Sequence, residues 1–285
     1  MPKVEPLALG VMTSLHGDPR EMFAKIGEMG FTTCQLGSPP DAYLTGPEAK
    51  ALTRSFRAAM EESGVTVTSV FIMWHGHKWN LFEGPRTIGL VPADKRGART
   101  VRAVQISNWA AEAGIDAVTS HVGFIPEDPE DANYAPFIET MQALVDYFTA
   151  NGQTFAFETG QETAQTLVRA IGDIDRGEQV GINLDPANLL LYGKSRPMEV
   201  VDLLAPHVFN THCKDGVPPQ PGEGLGHEYP LGEGEVDIRA LIPALYQRGY
   251  RGPLTIEREI SGPKQIEDIA RAKALLEEIR NGLLS

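Results

Sequence analysis

The chain has 285 residues, 42% of them hydrophobic and 22% charged, enough apolar content to bury a large core and too much for a disordered or fibrous chain. Twenty-five Lys and Arg against 38 Asp and Glu give a formal charge of -13, which repels a phosphodiester backbone and argues against nucleic acid as a partner. Cys34 and Cys213 are the only cysteines, so neither a disulfide framework nor a Cys-rich zinc signature is present, and a reducing cytoplasm fits.

No run approaches the roughly 18 to 20 uncharged apolar residues of a membrane span, so no membrane partner is expected. The opening MPKVEPLALG shows no basic segment leading into an apolar signal core, and a soluble, cytoplasmic protein is the expectation.

Short apolar runs alternate with longer helix-type runs throughout. The predicted strands are LALGVM (7–12), TTCQL (32–36), VTVTSVFIM (65–73), DAVTSH (116–121), TFAFE (154–158), VGINLD (180–185), HVFNTH (207–212) and LTIE (254–257). Helices are predicted from about Asp18 to Gly30, from Pro47 to Gly64, over about 95–113, 135–150 and 161–172, from Pro197, over 236–249, and over 266–283. Two irregular stretches stand out: 74–94, rich in Trp, His, Gly and Pro, and 214–235, whose Gly and Pro content reads as an active-site loop closing over a ligand.

Eight strand and helix pairs predict a single-domain (β/α)8 TIM barrel over residues 1–285, because closure removes every strand edge. An open, doubly wound sheet is the alternative, but the first strand-to-helix turn carries no G-x-G-x-x-G.

In a barrel the C-terminal strand ends converge on one mouth. Here strands four to eight end at His121, Glu158, Asp185, His212 and Glu257. A single strand-terminal carboxylate often caps a helix or meets solvent. Four chemically suitable residues on four successive strands, each after an apolar run, predict instead a site for one divalent metal ion held by Glu158, Asp185, His212 and Glu257. Three carboxylates and one imidazole suit Mn²⁺, Mg²⁺, Co²⁺ or Zn²⁺, and a cation relieves the repulsion of clustered carboxylates.

These residues sit in FETGQE (157–162), NLDPANLL (183–190), THCKD (211–215), PLGEGEVD (230–237) and GYRGPLTIERE (249–259), and with them the chain resembles the xylose isomerase-like TIM-barrel superfamily of sugar isomerases and epimerases, which also contains an endonuclease IV branch. The resemblance covers nearly the whole chain and is strongest in its C-terminal half. It implies metal-dependent isomerisation or epimerisation of a sugar or polyol derivative (a ketose, keto-cyclitol or sugar phosphate) through an enediolate. Glu158 and Glu257 are then the catalytic acid and base, and dimers or tetramers are common among such relatives.

Secondary candidates for substrate binding are His121, Glu162, Asn188, Lys214, Trp74 and His77. Asn188 stands where the ketose epimerases resembled here commonly carry a His. Each has a plainer reading: Glu162 near a helix N-terminus serves the dipole, Lys214 pairs with Asp215, and Trp74 and His77 pack a loop. Competing functions are a lyase or hydrolase on the same metal, a C-glycoside or cyclitol lyase more than an endonuclease IV-like enzyme, and a non-catalytic sugar-binding barrel. Acidity and the scarcity of histidines at the mouth weigh against the nuclease, and the complete ligand set against the non-catalytic barrel.

Overall fold

Eight parallel strands close into a barrel: β1 (Leu9–Thr13), β2 (Thr33–Gly37), β3 (Thr66–Phe71), β4 (Ala117–Ser120), β5 (Thr154–Glu158), β6 (Val180–Leu184), β7 (Val208–Cys213) and β10 (Leu254–Ile256), in the spatial order β1-β10-β7-β6-β5-β4-β3-β2. The computed structural model describes residues 4–222 and 224–285. Strands such as β2 and β6 are buried at every position, as expected where one face meets helices and the other fills a barrel.

The principal surrounding helices are α1 (Pro19–Glu28), α3 (Ala49–Ser63), α5 (Ala93–Ala113), α6 (Tyr134–Ala150), α7 (Ala164–Ile174), α9 (Pro197–Leu204), α10 (Ile238–Gln247) and α11 (Pro263–Leu284). Their ends follow local chemistry. Asp18 caps α1 by accepting from Arg20 N, Thr163 caps α7 by accepting from Thr166 N, and Gly114 ends α5 with φ +84°. Between sheet and helices lies an apolar layer in which Phe23, Phe56 and Trp109 pack ring against ring, as do Phe148 and Phe155. Among the described residues no helix is long and apolar enough to cross a membrane.

Several boundaries differ from the sequence reading. The first strand starts at Leu9, because Leu7 adopts φ +54° and spends its N–H on Arg251 O. The helix placed from Pro47 starts at Ala49, and the one placed from Gln161 starts at Ala164, after its Thr163 cap. Short helical turns α2 (Asp41–Leu44), α4 (Gly84–Thr87) and α8 (Pro186–Leu191) add to the mouth-side loops.

The largest difference is in the stretch read as irregular. There β8 (Asp215–Val217) pairs antiparallel with β9 (His227–Tyr229). The Asp215 carboxylate organises this ribbon by accepting from the backbone N–H groups of Gly216, Gly232 and Val236. Glu228 on β9 accepts from Glu259 N and pairs with Arg258, docking the ribbon beside the end of β10.

Candidate metal centre and mouth cavity

Glu158 closes β5, His212 lies within β7, and Asp185 and Glu257 each follow the last residue of their strand, β6 and β10. Closure of the barrel brings them together: one ligand atom from each of the four lies within 4.8 Å of the others, with three residues buried and Glu257 partly so.

Asp185 serves two ends at once. One carboxylate oxygen caps α8 by accepting from Asn188 N at 3.0 Å, so the plainer capping reading holds for that oxygen. The other, Oδ2, is buried, with the Lys214 ammonium 3.4 Å away as its charged neighbour.

His212 is oriented from behind. Its Nε2 lies 2.6 Å from Gln35 Oε1, an oxygen that only accepts, so Nε2 carries a proton and Nδ1 is the nitrogen turned towards the carboxylates. Gln35 Nε2 in turn donates to Asn183 Oδ1 at 2.8 Å, and Asn183 Nδ2 donates to Glu158 Oε2. The path closes on itself, because His212 Nδ1 is 2.8 Å from Glu158 Oε1 and 3.2 Å from Glu257 Oε2. Two carboxylate oxygens and Nδ1 facing one another favour a positive charge between them, either a proton on the imidazole or a bound cation, and Asp185 Oδ2 beside them meets only the Lys214 ammonium at 3.4 Å. An oxygen-rich set with one imidazole fits a divalent cation.

The same crowding shows in the acidities of the free side chains. Burial raises Glu158, opposed by His212, and burial pushes Asp185 up to about 8, opposed by Lys214. Glu257, although burial acts to raise it, is held well below the usual carboxylate range by Lys214 and His212. His212 is raised despite its burial, by Glu158 and Glu257.

Above the centre opens a cavity of about 270 Å³. His121, Asn188, Tyr192, Glu257 and Glu259 contribute polar atoms, and Met12, Phe71, Met73, Trp79, Leu191 and Leu225 form the rest of its wall. His121 Nδ1 is 3.2 Å from Gln161 Oε1, and burial pushes the imidazole down to about 3, so the ring is neutral. Rings run in contact from the loop to the centre: Trp74 to His77, His77 to Trp79, Trp79 to His121, His121 to Phe71, and Phe71 stacked on His212 at 22°.

Four of the secondary candidates sit elsewhere than expected for substrate contact. Trp74 and His77 do not line this cavity. The Trp74 indole N–H donates to Arg99 O, and His77 Nε2 accepts from Gly89 N, so both hold the loop in place, while Trp79 supplies the aromatic wall. Lys214 pairs neither with Asp215 nor with open space. Its ammonium is buried among Glu259 at 3.0 Å, Glu257 at 3.3 Å and Asp185 at 3.4 Å, because strand alternation turns Asp215 the other way, into the ribbon. Glu162 is also absent from the cavity wall. It is buried before the α7 cap with Oε1 unpartnered, and burial pushes its carboxyl up to about 8. Cys213 faces the apolar core, as alternation with His212 requires.

Gln35 and Asn183 are functional neighbours that the sequence reading missed. The available signal was an amide inside a fully buried strand, which demands a partner on the inner face of the barrel.

A family model described as xylose isomerase-like TIM barrel matches residues 23–280. A xylose isomerase domain protein from Planctomyces limnophilus is 33% identical, with a TM-score of 0.90 over 98% of this chain and 99% of that one. A xylose isomerase-like TIM barrel protein from Mycobacterium smegmatis, solved in complex with magnesium, is 18% identical, with a TM-score of 0.69 over 93% of this chain and 89% of that one. D-psicose 3-epimerase from Clostridium cellulolyticum H10, solved with D-tagatose, is 14% identical, with a TM-score of 0.70 over 95% of this chain and 99% of that one. No curated protein sequence gives a significant match.

Proposed function

The chain belongs to the xylose isomerase-like TIM barrel family, and on that premise we propose that it is a divalent-metal-dependent isomerase or epimerase of a sugar or polyol derivative. The observation that carries this reading is the convergence of Glu158, Asp185, His212 and Glu257, the last of which lines a mouth cavity of about 270 Å³. The epimerase among the structural neighbours shares the fold and supports the same class of chemistry.

The four residues would hold Mn²⁺, Mg²⁺, Co²⁺ or Zn²⁺. When bound, such an ion supplies Lewis-acid stabilisation of the negative charge that develops on a substrate oxygen. The proton transfers fall to Glu158 and Glu257, which enter the cluster from strands three positions apart around the barrel. One carboxylate takes the proton from the carbon next to the carbonyl, leaving an enediolate. The other, protonated beforehand, delivers its proton to the opposite face of that carbon for epimerisation, or to the neighbouring carbon for isomerisation. His121 and Asn188 lie on the wall where substrate hydroxyls would bind, and the small cavity limits water around the intermediate.

Solvent-deuterium incorporation into a substrate turned over by the Mn²⁺-loaded protein tests the reading. Wild type is expected to incorporate deuterium at the reacting carbon, and Glu158→Gln and Glu257→Gln are each expected to abolish it. Undiminished incorporation in both variants overturns the two-carboxylate assignment.

A further inference from the structure

The wall above the metal centre is uneven in polarity. Close to the floor are Glu257, His121 and Asn188. Towards solvent the wall is Met73 and Trp79, each 44% exposed, Leu225 from the ribbon loop, and the carboxylate of Glu259, which Lys214 holds at 3.0 Å. Among the described residues the wall carries no Lys or Arg. The ammonium nearest the floor, Lys214, has its three N–H groups surrounded by Asp185, Glu257 and Glu259. Away from the metal centre a phosphate in this cavity would face Glu257 and Glu259 and meet no cationic side chain. Sugar hydroxyls lying against Met73, Trp79 and Leu225 would lose water without gaining partners, whereas an apolar group there gains burial and an aromatic contact.

Trp79 is held in position for such a contact. Its ring meets His77 at 5.0 Å and His121 at 5.2 Å, edge-on to both, so the indole is braced between the loop and the end of β4 while nearly half of its surface stays open.

We infer that the substrate is an uncharged sugar or cyclitol derivative bearing an apolar substituent, an aryl or bulky alkyl group, with its polyol end on the metal centre and its apolar end against Trp79, Met73 and Leu225. This rests on the proposed function for the polyol end and adds the substituent and the absence of phosphate. It sets the protein apart from an enzyme of free ketoses or of sugar phosphates.

The test is binding without turnover. Phenyl and methyl glycosides of glucose, galactose and mannose, together with glucose 6-phosphate, are titrated into the Mn²⁺-loaded protein by calorimetry and by tryptophan emission. Trp79 is the exposed one of the three tryptophans, with Trp74 6% and Trp109 3% exposed, so an emission change on binding reports on the outer wall. At least one phenyl glycoside is expected to bind ten-fold or more tightly than its methyl partner and to shift the emission, and glucose 6-phosphate to bind more weakly than either. Trp79→Ala should reduce the phenyl affinity to the methyl level. Trp79→Phe should keep the calorimetric preference while abolishing the emission change, a combination that misfolding would not produce. Equal affinity within every pair, no binding by any glycoside, tighter binding of glucose 6-phosphate, or full preference in Trp79→Ala overturns the inference. Phenyl preference without deuterium incorporation would remove the proposed reaction and leave the binding mode standing, and incorporation without phenyl preference would do the reverse.

Discussion

Gln35 on β2 and Asn183 on β6 meet side chain to side chain at 2.8 Å through the interior of the barrel, with 148 positions of sequence between them. Between them they connect the ring of His212 to the carboxylate of Glu158. Gln35→Leu strands the His212 Nε2–H and the Asn183 carbonyl oxygen in a buried site. The expected result is a loss of about 2 kcal/mol of stability in urea denaturation. Divalent-metal affinity should also weaken by roughly 10- to 100-fold in direct titration, as for other disrupted supports of a ligand histidine. Unchanged metal affinity would show that His212 needs no such support.

Asp185 separates capping from cation binding. Asp185→Asn retains an oxygen for Asn188 N and removes one ionisable carboxyl from a buried group of three. The metal-free variant should stay close to wild type in stability at pH 7, since burial already pushes the Asp185 carboxyl up to about 8 and little charge is lost. Wild type with Mn²⁺ at about 100 times its Kd should gain about 2.7 kcal/mol, and the variant much less. Thermal shifts with and without MnCl₂ read both effects.

His77 ties stability to pH. Burial, with a further contribution from Arg99, pushes its imidazole down to about 4 from an ordinary 6.5. The folded chain thus binds this proton less readily than the unfolded chain. The stabilising contribution is complete above about pH 6.5 and is lost as pH falls from there towards 4. His77→Gln keeps an acceptor for Gly89 N and removes the titration, so its stability should fall less steeply over that window. Urea midpoints at intervals between pH 7 and 4 measure the difference in slope, expected to be less than one proton because the ring keeps some solvent contact.

Asp215 fastens the ribbon loop. Asp215→Ala removes the acceptor of three backbone N–H groups and should free the 218–235 segment while leaving the barrel folded. Limited proteolysis should cut the variant within that segment several-fold faster than wild type, with the far-ultraviolet circular dichroism unchanged. Bound glycoside should slow cleavage of wild type if the loop closes over its ligand.

Much of this architecture was written where sequence patterns are strong. The four converging positions were legible because each polar residue comes at the end of a run such as TFAFE or LTIE, and a barrel turns such ends towards one another whatever their spacing. Gln35 and Asn183 were not, because an amide in a strand buried on both faces shows no alternation to say which way it points. Lys214 is a substrate-binding candidate from sequence, with Asp215 as its plainer partner, but successive strand residues face opposite ways and its partners follow β6 and β10. Among Trp74, His77 and Trp79 only the folded loop decides which ring faces the cavity. The β8 and β9 pair escaped notice because its register depends on one carboxylate reaching Gly232 and Val236.

The circuit of His212, Gln35, Asn183 and Glu158 can run in one sense only, since rotating either amide would set donor against donor or acceptor against acceptor. The Nε2 proton is therefore fixed as the chain folds, and Nδ1 is the nitrogen left facing Glu158 and Glu257. A cation taken up there would displace the proton that the two carboxylates favour on Nδ1 without turning the ring, and the choice of coordinating atom would be inherited from the strand register of the barrel itself.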